Sequence, residues 1–131
     1  MSTILLVEDD PKEQVLYRAE LRNEGYDVIL ASDGREALEK MQQGMPDLVI
    51  LDIWMPGMDG IDSLGYILRE NRKLPVILYS SDLSYKSDFR SWSADAYLLK
   101  SSDLTELKQT VRALLEKRES EIEGQRSEVR G

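Results

Sequence analysis

Four apolar runs in this chain each stop at a side chain able to do chemistry. Thr3-Ile4-Leu5-Leu6-Val7 stops at Glu8 and Asp9, and Leu48-Val49-Ile50-Leu51 stops at Asp52. Pro75-Val76-Ile77-Leu78-Tyr79 runs into Ser80, and Ala94-Asp95-Ala96-Tyr97-Leu98-Leu99 into Lys100. Three carboxylates, a hydroxyl and an ammonium are an informative set if they meet. Three acids in one place repel one another unless a cation sits among them. The chain has no His and no Cys, which removes the usual imidazole base, the usual zinc ligand and thiolate metal sites. Hard oxygen ligands alone point to Mg2+. A carboxylate beside Mg2+ suits phosphoryl transfer, with Asp52 as the nucleophile. Lys100 then brings a second positive charge to the transferred group and Ser80 a hydrogen bond.

These residues meet only if the elements carrying them lie side by side. Short apolar runs without polar alternation read as strands covered on both faces. The runs above, with Tyr26–Ala31, make five strands, and each is followed by a helical pattern. The first helix is expected from Lys12 to about Asn23, with Pro11 in its first turn and Asp10 as its cap. Val15, Leu16, Ala19 and Leu21 form its expected apolar face, and Gly25 its stop. Ala37, Leu38 and Met41 mark a second helix, ending by Gly44. Ile61, Leu64, Ile67 and Leu68 mark a third. Tyr85, Phe89 and Trp92 mark a fourth over 82–93. Leu104, Leu107, Val111, Leu114 and Leu115 mark the last, capped by Ser102 or Asp103.

Five strand–helix repeats predict an α/β fold: a five-stranded parallel sheet with right-handed crossovers and five helices on both faces. The expected strand order is 2-1-3-4-5, the flavodoxin-like, doubly wound arrangement. Parallel strands put their carboxyl ends at one rim, so Glu8, Asp9, Asp52, Ser80 and Lys100 converge there. The bulk numbers agree with one domain of this kind. The chain has 131 residues, 41% of them hydrophobic. A formal charge of −8 argues against direct nucleic-acid binding. No apolar run is long enough for a membrane span and no signal peptide opens the chain, so a cytoplasmic protein is expected. The domain is expected over 1–118, with 119–131 a charged tail that extends the last helix or starts a linker.

The same residues carry a resemblance over about residues 2–118. Ile4-Leu5-Leu6-Val7-Glu8-Asp9-Asp10, Asp47-Leu48-Val49-Ile50-Leu51-Asp52, Met55-Pro56-Gly57-Met58-Asp59-Gly60, Pro75 to Ser80, and Ala94 to Lys100 together resemble the receiver domain of two-component response regulators, the CheY-like family. The resemblance implies that Asp52 takes a phosphoryl group from a histidine kinase or phosphotransfer protein. It implies Mg2+ held directly by Asp9, Asp52 and the backbone carbonyl of Trp54, with Glu8 acting largely through a water. Ser80 matches the switch hydroxyl, Tyr97 the switch aromatic and Lys100 the phosphate-contacting lysine. A conformational switch would be read out on the face of the fourth helix, fifth strand and last helix, where a homodimer is one expected use. The resemblance implies a signalling domain in a phosphorelay, with self-phosphotransfer and autodephosphorylation as its only reactions.

One departure stands out. Ser101 follows Lys100 where the family usually has a cis proline, and a trans peptide is expected there. The rival readings are a receiver fold kept as an interaction module without phosphorylation, and a phosphohydrolase. Haloacid-dehalogenase-like hydrolases need a second Asp two residues after the nucleophile, and Trp54 holds that place. A nucleotide or flavin carrier would need a phosphate-binding loop after the first strand, where Glu8-Asp9-Asp10 would repel the ligand.

Overall fold

The computed structural model describes residues 1–52, 60–82 and 93–130. Its elements in chain order are β1 (Thr3–Val7), α1 (Pro11–Asn23), β2 (Asp27–Ala31), α2 (Gly34–Gln43), β3 (Leu48–Leu51), α3 (Gly60–Glu70), β4 (Val76–Ser80), β5 (Ala96–Leu99) and α4 (Thr105–Arg130). The five strands form one parallel sheet in the order β2-β1-β3-β4-β5. This is the predicted α/β architecture and strand order.

Alternation along the strands sorts the core into two layers. Leu5, Val7, Val49, Leu51, Val76 and Leu78 face one way, against Ala37 and Met41 of α2 and Leu64 and Ile67 of α3. Ile4, Leu6, Leu48, Ile50, Ile77, Tyr79 and Leu98 face the other way, against Tyr17 and Leu21 of α1 and Leu104, Leu107, Val111 and Leu115 of α4. Both faces of β3 are therefore covered, which is why Leu48-Val49-Ile50-Leu51 carries no polar alternation. Register then fixes the rim. Val7 lies beside Leu51, Leu51 beside Leu78, and Ser80 beside Leu99. The residues that follow these strands leave the sheet on the same side.

Helix α1 departs from the expected pattern. Tyr17 and Leu21 are its buried side chains, whereas Val15 is 69% and Leu16 50% exposed, and Ala19 is exposed too. Positions 14, 17 and 21 form the inward stripe of α1, at i, i+3 and i+7. Only one of the three is aliphatic, so apolarity alone points to the wrong side. The expected start and stop hold. The Asp10 side chain accepts from the Lys12 amide at 2.9 Å, Pro11 opens the helix, and Gly25 beyond it takes φ +95°.

At the other end of the chain, Asp103 caps the last helix, accepting from the Thr105 amide at 2.9 Å and its hydroxyl at 2.6 Å. That helix continues to Arg130. The Lys100–Ser101 peptide is trans. Four helices are present among the described residues. The helix expected over 82–93 rests on Tyr85, Phe89 and Trp92, which lie outside the described residues, as does Trp54.

Candidate functional site

Each chemistry-bearing residue is fixed by the strand it follows. The Glu8 amide donates to Ala31 O at 2.9 Å, the Asp52 amide to Val7 O at 3.0 Å and the Lys100 amide to Ser80 O at 2.7 Å. The backbone ladder thus runs one residue past the strands and delivers all three side chains to one place. Glu8 is 2% and Asp52 5% exposed. The carbonyl of Glu8 is held by the Gln14 amide side chain, which also reaches Ser32 Oγ at 3.4 Å.

At the centre stands Lys100. Its Nζ lies 2.8 Å from Glu8 Oε2, 2.8 Å from Glu13 Oε2 and 3.0 Å from Asp52 Oδ2. An ammonium has three N–H donors and no more, so this one is saturated by three carboxylates. One positive charge does not neutralise three negative ones, and burial compounds the imbalance. Burial pushes the Glu8 carboxyl up to about 8, the Asp52 charge adds to the rise, and the Lys100 hydrogen bond opposes it. Burial works against the charge on Lys100, but its bonds to Glu13, Glu8 and Asp52 outweigh that and hold its pKa above the ordinary lysine range.

Carboxylate oxygens of Glu8, Glu13 and Asp52 lie within 4.8 Å of one another. A compact, partly buried set of hard oxygen donors with an excess of negative charge fits a divalent cation of the Mg2+ type. Asp9, expected as a direct ligand, lies half-buried at the same rim but outside this close-set group, whose third member is Glu13. Ser80 is fully buried, and its Oγ accepts from the Asp82 amide at 3.2 Å. Tyr97 is half-buried and packs against the core layer that holds Val76 and Leu78. Burial and the Asp95 charge raise its pKa.

Sequence reasoning did not find Glu13. The spacing Asp10-Pro11-Lys12-Glu13 resembles a capping box, in which the acid at the third helical position turns back to the cap residue's amide. Here that amide donates to Glu8 Oε1 at 3.2 Å instead. Glu13 is free to reach Lys100, and its Oε1 accepts from the Tyr17 hydroxyl at 3.3 Å.

The chain as a whole is matched among known proteins. The model of the response regulator receiver domain family matches residues 4–112. The chain is 34% identical over 129 residues to the alkaline phosphatase synthesis transcriptional regulatory protein PhoP of Bacillus subtilis, covering 97% of this chain and 53% of that protein. It is 36% identical over 124 residues to the DNA-binding response regulator MtrA of Mycolicibacterium smegmatis, covering 90% of this chain and 52% of the relative. The chain thus spans about half the length of these curated relatives. Among solved structures, the response regulator TrrA of Thermotoga maritima in complex with Mg2+-BeF superposes with a TM-score of 0.84 at 43% identity, covering 87% of this chain and 99% of TrrA. TrrA in complex with the histidine kinase ThkA gives a TM-score of 0.82 at 43% identity, covering 88% of this chain and 99% of TrrA.

Proposed function

This chain belongs to the response regulator receiver domain family, and from that premise we propose that it accepts a phosphoryl group on Asp52 and passes the change to its surface. The observation that carries the proposal is the 3.0 Å contact between Lys100 Nζ and Asp52 Oδ2, with buried Glu8 on the same ammonium. An oxygen of the ionised Asp52 carboxylate attacks phosphorus as the bond from phosphorus to the donor's nitrogen breaks and its electron pair returns to the donor's imidazole. No general base is needed, which suits a chain without His. Lys100 remains to hold a phosphoryl oxygen. Ser80, whose Oγ now accepts from the Asp82 amide, still has its own proton to donate to another.

Glu8, Asp9 and Asp52 would hold Mg2+, with Glu13 adjacent. When bound, the ion would neutralise negative charge on the incoming phosphoryl oxygens. A charge-assisted bond from Ser80 to the phosphoryl group is worth about 1.5–3 kcal/mol. That is enough to bias a two-state equilibrium involving Tyr97 roughly tenfold or more.

The donor is a histidine kinase or phosphotransfer protein. TrrA is known in complex with such a kinase, and the exposed side chains of Val15 and Leu16 give this chain an apolar landing on α1, the helix whose first turn carries Glu13. Leu16→Asp should slow transfer from a donor protein at least tenfold and leave labelling by acetyl phosphate intact; equal loss with both donors would remove α1 from the docking surface. We take 1–118 as the receiver unit, a reading supported by the bonds from the Arg118 guanidinium to the carbonyls of Pro46 and Asp47. No helix among the described residues is long and apolar enough to cross a membrane.

The deciding experiment is intact mass after acetyl phosphate with Mg2+. One phosphoryl group should be added to the wild type and none to Asp52→Asn. An unlabelled wild type would leave the interaction-module reading in its place.

A further inference from the structure

Glu13 is not accounted for by phosphoacceptance as such. It is the most exposed of the three acids on Lys100, at 32% of its side chain against 2% for Glu8 and 7% for Asp52. It is nonetheless held from two sides. Lys100 binds one of its oxygens at 2.8 Å and the Tyr17 hydroxyl the other at 3.3 Å. Tyr17 is itself fixed in the core, 5% exposed, with its ring edge-to-face on Tyr79 at 5.5 Å between centroids. A solvated surface acid has no such clamp. We propose that Glu13 is a positioning residue that parks Lys100 in the unmodified protein, occupying a donor of the ammonium until a phosphoryl group displaces it. The inference rests on the reading of Asp52 as phosphoacceptor.

The case follows from counting donors and charges. All three N–H donors of Lys100 are taken, so a phosphoryl group with several acceptor oxygens gains the full attention of the ammonium only if a carboxylate lets go. Glu8 is a poor candidate. It is buried, and it also accepts the Asp10 amide, so releasing the lysine would leave a desolvated acid without its cation. Asp52 becomes the carrier of the phosphoryl group and cannot leave. Glu13 sits on the first turn of a surface helix, already a third exposed, and on release its carboxylate turns into water rather than staying buried without its cation. Its departure also removes a negative charge from the vicinity of a phosphoryl group that brings nearly two of its own. The unmodified state is thereby stabilised by a contact that the modified state lacks, and α1 becomes sensitive to the state of Asp52.

The test uses Glu13→Gln in the full chain, with beryllofluoride as a stable phosphoryl mimic at saturating Mg2+ and tryptophan fluorescence as the readout. Beryllofluoride should bind roughly two- to fivefold tighter than to wild type, the scale of a partly exposed ion pair. Labelling by acetyl phosphate should speed up by a similar factor. Titration with Mg2+ alone separates this role from metal ligation, because a parking residue changes Mg2+ affinity by less than its effect on beryllofluoride. Tyr17→Phe loosens the clamp without removing the charge and should move beryllofluoride affinity in the same direction by a smaller factor.

Unchanged or weaker beryllofluoride binding in Glu13→Gln would overturn the proposal, and a parallel loss of Mg2+ affinity would reassign Glu13 as a metal ligand. A wild type that binds no beryllofluoride at all would instead remove the phosphoacceptor reading beneath it.

Discussion

Asp47 and Asp52 bracket the same strand, β3, and have opposite surroundings. At the amino end, Asp47 Oδ2 accepts from the Thr3 amide at 2.7 Å, and its Oδ1 lies 4.0 Å from the Arg118 guanidinium. Asp95 does the same job one strand over, accepting from the Val76 amide at 2.8 Å. Thr3 and Val76 open their strands at this rim, and the acid just before the neighbouring strand supplies a partner for each amide. Each charge there has its own donor. At the carboxyl end three acids, Asp52, Glu8 and Glu13, converge on one ammonium. Both rims use carboxylates; what differs is how many negative charges gather around one positive charge. Acids set apart, each on its own strand amide, hold a fold together. Acids gathered in excess of their cations create an attraction for something positive or an obstacle to something negative, and a phosphoryl-transfer site with its cation would use both.

The comparison predicts unequal costs for removing one charge from each rim. Lys100→Met strands two buried acids and one half-buried acid, and should destabilise the metal-free protein by about 3 kcal/mol. Much of that loss should return when Mg2+ is added, because a divalent ion replaces the missing charge. Asp47→Asn keeps an acceptor for the Thr3 amide and loses only charge, so about 1 kcal/mol is expected, with no response to Mg2+ and no effect on labelling of Asp52. Urea denaturation of both variants with and without Mg2+ reads the difference. Equal costs, or a Mg2+ response in Asp47→Asn, would erase the distinction between the two rims.

The same contrast explains what the sequence made legible. Strand ends could be read because the apolar runs of β1, β3 and β4 are unbroken and each stops at a polar residue. Parallel topology then placed Glu8, Asp52, Ser80 and Lys100 at one rim without any knowledge of contacts. The inward stripe of α1 was misread because its anchor is Tyr17 while the aliphatic Val15 and Leu16 point outward. A helix with apolar residues on both sides cannot be oriented by hydropathy alone. Glu13 was hidden by a local rule. An acid at the third position of a helix ordinarily serves the cap, and only the competing bond from the Asp10 amide to Glu8 shows that this one does not. The Asp82 amide on Ser80 shows the reverse: a residue singled out for chemistry also does ordinary strand-end work.

The excess of acid has a final consequence for pH. The Glu8 carboxyl stands near 8 in the folded metal-free protein against an ordinary value of 4.5, chiefly because it is buried. Between those values the folded chain binds a proton at Glu8 that the unfolded chain does not. Stability from this group is therefore present at low pH and is lost as pH rises through that window. Glu8→Gln removes the titration and should flatten the fall in melting temperature from about pH 5 to about pH 8, relative to wild type. Mg2+ should flatten it in the wild type as well, by favouring the ionised form and releasing the proton. Asp47→Asn, at the balanced rim, should leave the slope as it is. If the wild type and Glu8→Gln fall in parallel, the charge excess at the carboxyl rim is relieved by some route other than protonation of Glu8.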